Sequence, residues 1–273
     1  MENYIEFDLS GKARVVITTT AIGNMAFHVN NEPSNVLERR QALANEIGIS
    51  YNHFTFAYQT DSSVLKEVDF ENVGQGGLSF ESGIPADGLF TSNVGAPICI
   101  INADSVPLFF YDEINKIVGI INCSIKGTIA HNAGNMMKAY IEAKQANPKR
   151  IKVFVGPCIQ KSSFELDTEL SNILFENHFT PFIENNHFDM KQANLYDLEY
   201  LGIPVENIQD CNIDTYTDVK MFSVKEKTYE YLINIGEYDV FQNGYAYQCY
   251  YKLDMDKMIK CSKLFLGKHD FSS

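Results

Sequence analysis

Leu108-Phe-Phe-Tyr-Asp-Glu-Ile-Asn-Lys-Ile-Val-Gly-Ile-Ile-Asn-Cys-Ser-Ile-Lys-Gly-Thr128 decides the fold. Leu108 to Tyr111 and Ile117 to Ile121 are short, continuous apolar runs of the kind that buried strands carry. Asp112 to Lys116, between them, is polar and too short for anything but a tight connection. The chain then passes Asn122 to Thr128 and enters a helix, because Ile129, Ala133, Met136, Met137, Tyr140 and Ile141 repeat at the helical period. Two adjacent strands joined by a turn, followed by a helix, point to an α+β fold with mixed sheets. A doubly wound sheet would alternate strand and helix throughout.

The same logic extends outward. Ala13 to Thr19 predicts a strand from its β-branched run. A helix follows Pro33-Ser34, with Ser34 as the N-cap, an apolar stripe at Val36, Leu43 and Ile47, and Gly48 at the C-terminal cap. His53 to Tyr58, Pro97 to Asn102 and Ile151 to Val155 predict further strands. Gly74 to Pro85, rich in turn residues, predicts a surface loop. Helices are expected near Leu166 to Glu176 and Met190 to Leu201. In the last third, Tyr229 to Ile235 and Tyr245 to Lys252 have strand character, and Met255 to Leu266 reads as an amphipathic helix. No repeat or polar linker divides the 273 residues, so a single domain over 1–273 is expected.

Composition narrows the function. Apolar residues make up 45% and charged residues 21%, as in globular proteins. A formal net charge of -13 disfavours nucleic acid and anionic membrane surfaces as partners, since both are polyanions. The N-terminal residues lack an apolar signal core, no apolar run is long enough to span a bilayer, and the six cysteines form no C-x-x-C pair. A cytoplasmic protein with reduced thiols is the expectation. Neither a dinucleotide fingerprint nor a phosphate-loop motif occurs.

Polar residues gather after three of the expected strands: Gln59-Thr-Asp61, Ala103-Asp-Ser105 and Asn122. Neighbouring strand ends bring such residues to one rim, a common place for a site, although Asp, Ser and Asn there also serve as turn formers. Around these positions the chain resembles the YfiH/laccase-domain family. Asn102-Ala-Asp-Ser-Val-Pro-Leu108 is similar to the family's T-A-D-C-x-P-V. Ile121-Asn-Cys-Ser-Ile-Lys-Gly-Thr128 is similar to V-H-A-G-W-R-G-T, and Tyr58-Gln-Thr-Asp-Ser62 to Q-x-H-G. Gly156-Pro-Cys-Ile159, Glu38-Arg-Arg40, Thr217-Asp218 and Phe222-Ser223 continue the match in the same order. The resemblance covers most of the chain and implies a layered α/β/β/α-type domain.

It also implies chemistry. The family binds zinc or copper through two histidines and a cysteine, and its activities are purine nucleoside phosphorolysis, adenosine deamination, peptidoglycan-precursor editing in some relatives, or polyphenol oxidation. The matching ligand positions here are Asp61, Ser105 and Asn122. A hydroxyl and an amide are poor substitutes for a thiolate and imidazoles on such an ion. No cofactor is therefore expected, and the metal positions read as degenerate.

Three readings stand. The first is a metal-free protein, a pseudoenzyme or binder of a small nucleoside-like ligand. The second is an active enzyme of the family type, with Asp61 and Asp104 as general acid or base, and Arg40 or Lys126 holding an anion with Gln59 nearby. The third is a thiol hydrolase using Cys123, which would need a base from elsewhere in the fold. His28 falls in a family-like segment and could line the pocket. No histidine pair has helical ligand spacing.

Overall fold

The computed structural model describes residues 2–29 and 32–224, together with the backbone of 233–234 and 247–248. Contacts divide the chain into two compact units, Met1–Glu226 and Lys227–Ser273. In the second unit the described backbone is a parallel pairing of Ile233–Asn234 with Tyr247–Gln248. The expected helix at 255–266 lies outside the described residues, as does most of the two expected strands before it.

The first unit is built on a six-stranded mixed sheet. Its strands are β4 (Leu65–Glu67), β6 (Gly88–Thr91), β8 (Val106–Asp112), β9 (Ile117–Cys123), β10 (Ile151–Val155) and β13 (Ile208–Asp210), in the spatial order β13-β10-β8-β9-β6-β4. The two strands read from the central segment are the middle pair, antiparallel from Val106↔Cys123 to Asp112↔Ile117. Their tight connection is real. Asp112 is fully buried and accepts hydrogen bonds from the Ile114 and Asn115 amides, the Asn115 side chain and the Tyr140 hydroxyl. A second sheet, parallel throughout, comprises β3 (Thr55–Tyr58) between β5 (Ile84–Pro85) and β7 (Ile98–Cys99). The hairpin β1 (Tyr4–Leu9) with β2 (Ala13–Thr18) and the short pair β11 (Ile183–Glu184) with β12 (His187–Phe188) complete the strands.

Alternation along β8 and β9 sets the layers. Val106, Leu108, Phe110, Ile121 and Cys123 face helix α3 (Asn132–Lys144), whose Ala133, Met136, Met137 and Tyr140 fill one core with α5 (Met190–Tyr200). Each fully buried large side chain there contributes about 1.5–3 kcal/mol. Ile120 and Phe109 point the other way, into a second core with Ala57 and Ile84 of the smaller sheet. Phe54 and Phe56 then pack on Leu43, Ala44 and Ile47 of helix α1 (Pro33–Ile47). Helix, sheet, sheet, helix is the expected order of layers.

Several expectations need adjusting. Helix α1 begins two residues earlier than its Ser34 cap would require: Pro33 occupies its first turn and Glu32 is the N-cap, without a side-chain bond. Gly48 closes it as expected, at φ 72°. The helix after Thr128 is two helices. Short α2 (Ile125–Ile129) is capped by Ser124, and His131, at φ 54°, breaks the chain before α3. Pro97 to Asn102 pairs only at Ile98–Cys99. Gly74 to Pro85 is not a surface loop throughout, because Gly76 and Gly77 are buried and Ile84–Pro85 is strand β5. Helix α4 (Thr168–Glu176) and α5 are N-capped by Asp167 and Asp189. No described helix is long and apolar enough to cross a membrane.

Candidate functional site

The polar rim forms where β9 ends and the chain turns into α2. Ser124 stands at that corner. Its Oγ accepts from the Gly127 amide at 3.0 Å and donates to Asp61 Oδ1 at 2.7 Å. Asp61 belongs to the loop after β3 and sits at φ 55°, in the left-handed region. Its second carboxylate oxygen lies 3.6 Å from the exposed Lys126 ammonium. Positions 61 and 126 therefore meet in space.

Asn122 completes the rim from β9. It is 4% exposed, and its Oδ1 is buried with no hydrogen-bond donor in reach. Its main-chain amide donates to the Asp87 carbonyl at 2.8 Å. Ser105 precedes β8, one residue before the Val106↔Cys123 pair, which brings it level with Ser124, while Asn122 is paired with Pro107. Its carbonyl accepts from the Asn102 side chain.

The structure reassigns the other candidates. Asp104 does not offer a free carboxylate. Its Oδ1 accepts from Thr215 Oγ1 at 2.6 Å, and its Oδ2 from Ser223 Oγ and the Val224 amide, so it anchors the 215–224 segment. Gln59 bridges to the next strand segment, with both amide atoms bonded to the Ile101 backbone. Arg40 is 3% exposed, and its guanidinium donates to the carbonyls of Met25, Gly76 and Gly77. It also lies between the rings of Phe27 and Phe56, 4.3 and 3.6 Å from their centroids. Burial lowers its pKa to about 10. Expected to hold an anion, Arg40 instead holds main chain, because its donors are consumed inside the fold. It lines a cavity of about 610 Å³ between α1, β2 and the sheets, which Asp61, Ser105 and Asn122 do not line.

Cys123 is wholly buried in the main core, and burial pushes its thiol pKa far up, with Asp197 and Asp87 adding to the effect. A thiolate nucleophile is not available there, which removes the thiol-hydrolase reading. His28 is exposed and packs on the Phe80 ring at 4.6 Å. His131 pairs with Asp197 at 3.1 Å and stacks on Phe179, at the α2–α3 break.

Sequence reasoning missed Asp87. This residue is 1% exposed, and its Oδ2 accepts from the Thr60 amide, the Ser62 amide and the Ser62 hydroxyl. An acid between two apolar stretches, Ile84-Pro-Ala86 and Gly88-Leu-Phe90, is the signal that could have found it.

The donor set does not fit a zinc- or copper-type ion. It consists of a carboxylate already bonded to Ser124 and near Lys126, a hydroxyl, and a buried amide oxygen. Among the described residues, no three His, Cys, Asp or Glu side chains gather as metal ligands would.

A helix–sheet–sheet–helix domain with a polar rim at its central strand ends defines the class of protein. A family model described as multi-copper polyphenol oxidoreductase laccase matches residues 15–231, and the chain belongs to that family. A relative from Bacillus subtilis (strain 168) named purine nucleoside phosphorylase YlmD is 25% identical over 207 residues, covering 73% of this chain and 74% of the relative. Purine nucleoside phosphorylase SSP1584 of Staphylococcus saprophyticus is 26% identical over 208 residues, covering 73% and 77%. Among solved structures, the hypothetical protein YfiH of Bacillus licheniformis superposes with a TM-score of 0.75 at 21% identity, covering 82% of this chain and 91% of that one. YlmD from Geobacillus stearothermophilus gives 0.68 at 23% identity, covering 74% and 78%. Identities this low speak for the fold.

Proposed function

We propose that this chain is a metal-free member of its family, with the ancestral nucleoside-processing activity lost or altered, and that its rim at Asp61, Asn122 and Lys126 receives a small nucleoside-like ligand. The observation carrying this reading is the engagement of Asp61 by Ser124 and Lys126, beside an amide and a hydroxyl at the other two ligand positions. An imidazole at 61 suits such an ion; a carboxylate is a harder donor, and this one already accepts from Ser124. The names of the relatives support a nucleoside-like ligand over a polyphenol. A cytosolic setting belongs to the same proposal.

Those names also favour a second reading, an active phosphorylase in which Asp61 moves the proton and Lys126 steadies phosphate, with deamination the alternative that the resemblance implies. One experiment separates the two. Tag-free full-length protein is analysed for metals, then incubated with inosine plus phosphate and with adenosine. An empty protein that releases neither base nor ammonia supports the first reading. Turnover without metal establishes the second, and stoichiometric zinc or copper overturns the metal-free assignment.

A further inference from the structure

One buried carboxylate fixes the half of the rim that carries Asp61. Asp87 lies between β5 and β6, and its Oδ2 holds the Thr60 amide at 3.2 Å, the Ser62 amide at 2.7 Å and the Ser62 hydroxyl at 2.8 Å. Those two amides flank Asp61 and so pin the left-handed turn at which it sits. The main-chain oxygen of the same residue takes the Asn122 amide. Asn132 adds a second clamp from the start of α3, donating to the Ser62 carbonyl and accepting from the Ser63 hydroxyl.

Burying a carboxylate is costly, and this one is offset by charge-assisted bonds that all go to the one loop. A filler side chain would have been cheaper had the space only needed filling. We infer that Asp87 is the positioning residue of the Asp61 side of the rim, its carboxylate setting the geometry of position 61 in place of a bound ion. This rests on the rim being the family's metal position. It explains how three ligands can be absent while the loop keeps its shape.

The test uses full-length protein carrying Asp61→His, Ser105→Cys and Asn122→His, titrated with cobalt(II) and followed by its d–d and thiolate charge-transfer bands. Expected is uptake of about one ion per chain by this three-ligand site, with water in the fourth position. Adding Asp87→Asn should weaken cobalt about tenfold or more, as loss of an outer-shell partner does, and change the band shape while circular dichroism stays native. Should the Asn variant not fold, Ser62→Ala removes one of the three donors, and a severalfold weakening is expected. Unchanged affinity and spectrum on loosening the Asp87 contacts would overturn the role of Asp87 alone. A folded triple variant that takes no cobalt would overturn the rim assignment as well.

Discussion

Asp61 and Ser124 are 63 positions apart in the chain, and their side chains meet at 2.7 Å. The same Ser124 oxygen accepts the Gly127 amide and so caps α2. A single hydroxyl therefore joins the loop after β3 to the helix after β9, the two segments that frame the rim.

Replacing Ser124 with Ala removes both contacts. Loss of an N-cap costs about 1 kcal/mol. Urea unfolding should show that loss, and a double-mutant cycle with Asp61→Ala should show coupling, because the two changes delete a shared bond. Strict additivity would mean that the Ser124–Asp61 contact adds nothing in solution.

Asn122 should behave in the opposite way. A buried acceptor without a donor costs roughly 1–3 kcal/mol, whereas an apolar group of similar size carries no such penalty. Asn122→Leu is expected to raise the thermal midpoint of the unliganded protein. A lower midpoint would show that the amide oxygen has a partner in solution.

Gly119 faces Phe110 directly across β8 and β9, and a Cβ there would lie 2.0 Å from the Phe110 ring. Gly119→Ala should therefore destabilise by about 1–3 kcal/mol, the usual cost of overpacking a core. Adding Phe110→Leu should recover part of that loss. No recovery would place the cost in the strand backbone.

Much of this architecture is legible in the sequence, and the limits have physical causes. Apolar runs and a tight polar turn are local signals, so the β8–β9 pair and the stripe of α3 could be read directly. Gly48 was legible because a left-handed helix end has a residue preference of its own. The break at His131 was not, since the apolar stripe continues through it and only the backbone dihedral changes. Of the positions singled out in the sequence, Asp61 and Lys126 meet. The states of several others were not legible: Arg40, Gln59 and Asp104 look like site residues in the sequence, yet distant carbonyls, amides and hydroxyls consume them. Partners of that kind are fixed by tertiary structure and leave no periodic trace.

Asp112 makes the turn between the central strands dependent on pH. Burial alone would raise its pKa, but the bonds from Asn115, Tyr140 and Ile114 outweigh it and hold the carboxyl below its ordinary 3.8. A carboxylate depressed in the folded state stabilises fully above its unfolded value and loses that contribution as pH falls through the folded one. Asp112→Asn should therefore cost about 2 kcal/mol at neutral pH, by urea midpoint, since charged hydrogen bonds are the stronger kind. The gap to the natural protein should narrow once pH drops below 3.8. A gap constant with pH would exclude the carboxylate as its source.

The Arg40 clamp has no such weakness. A guanidinium that titrates near 10 keeps its charge in any neutral or acid medium, and the carbonyls it grips do not titrate. Acid therefore acts unevenly on this molecule. Links made by carboxylates let go first, and the tie between α1 and the Gly76–Gly77 turn outlasts them. Amide exchange during a slow acid titration should record that order, with protection surviving longest around the helix that carries Arg40.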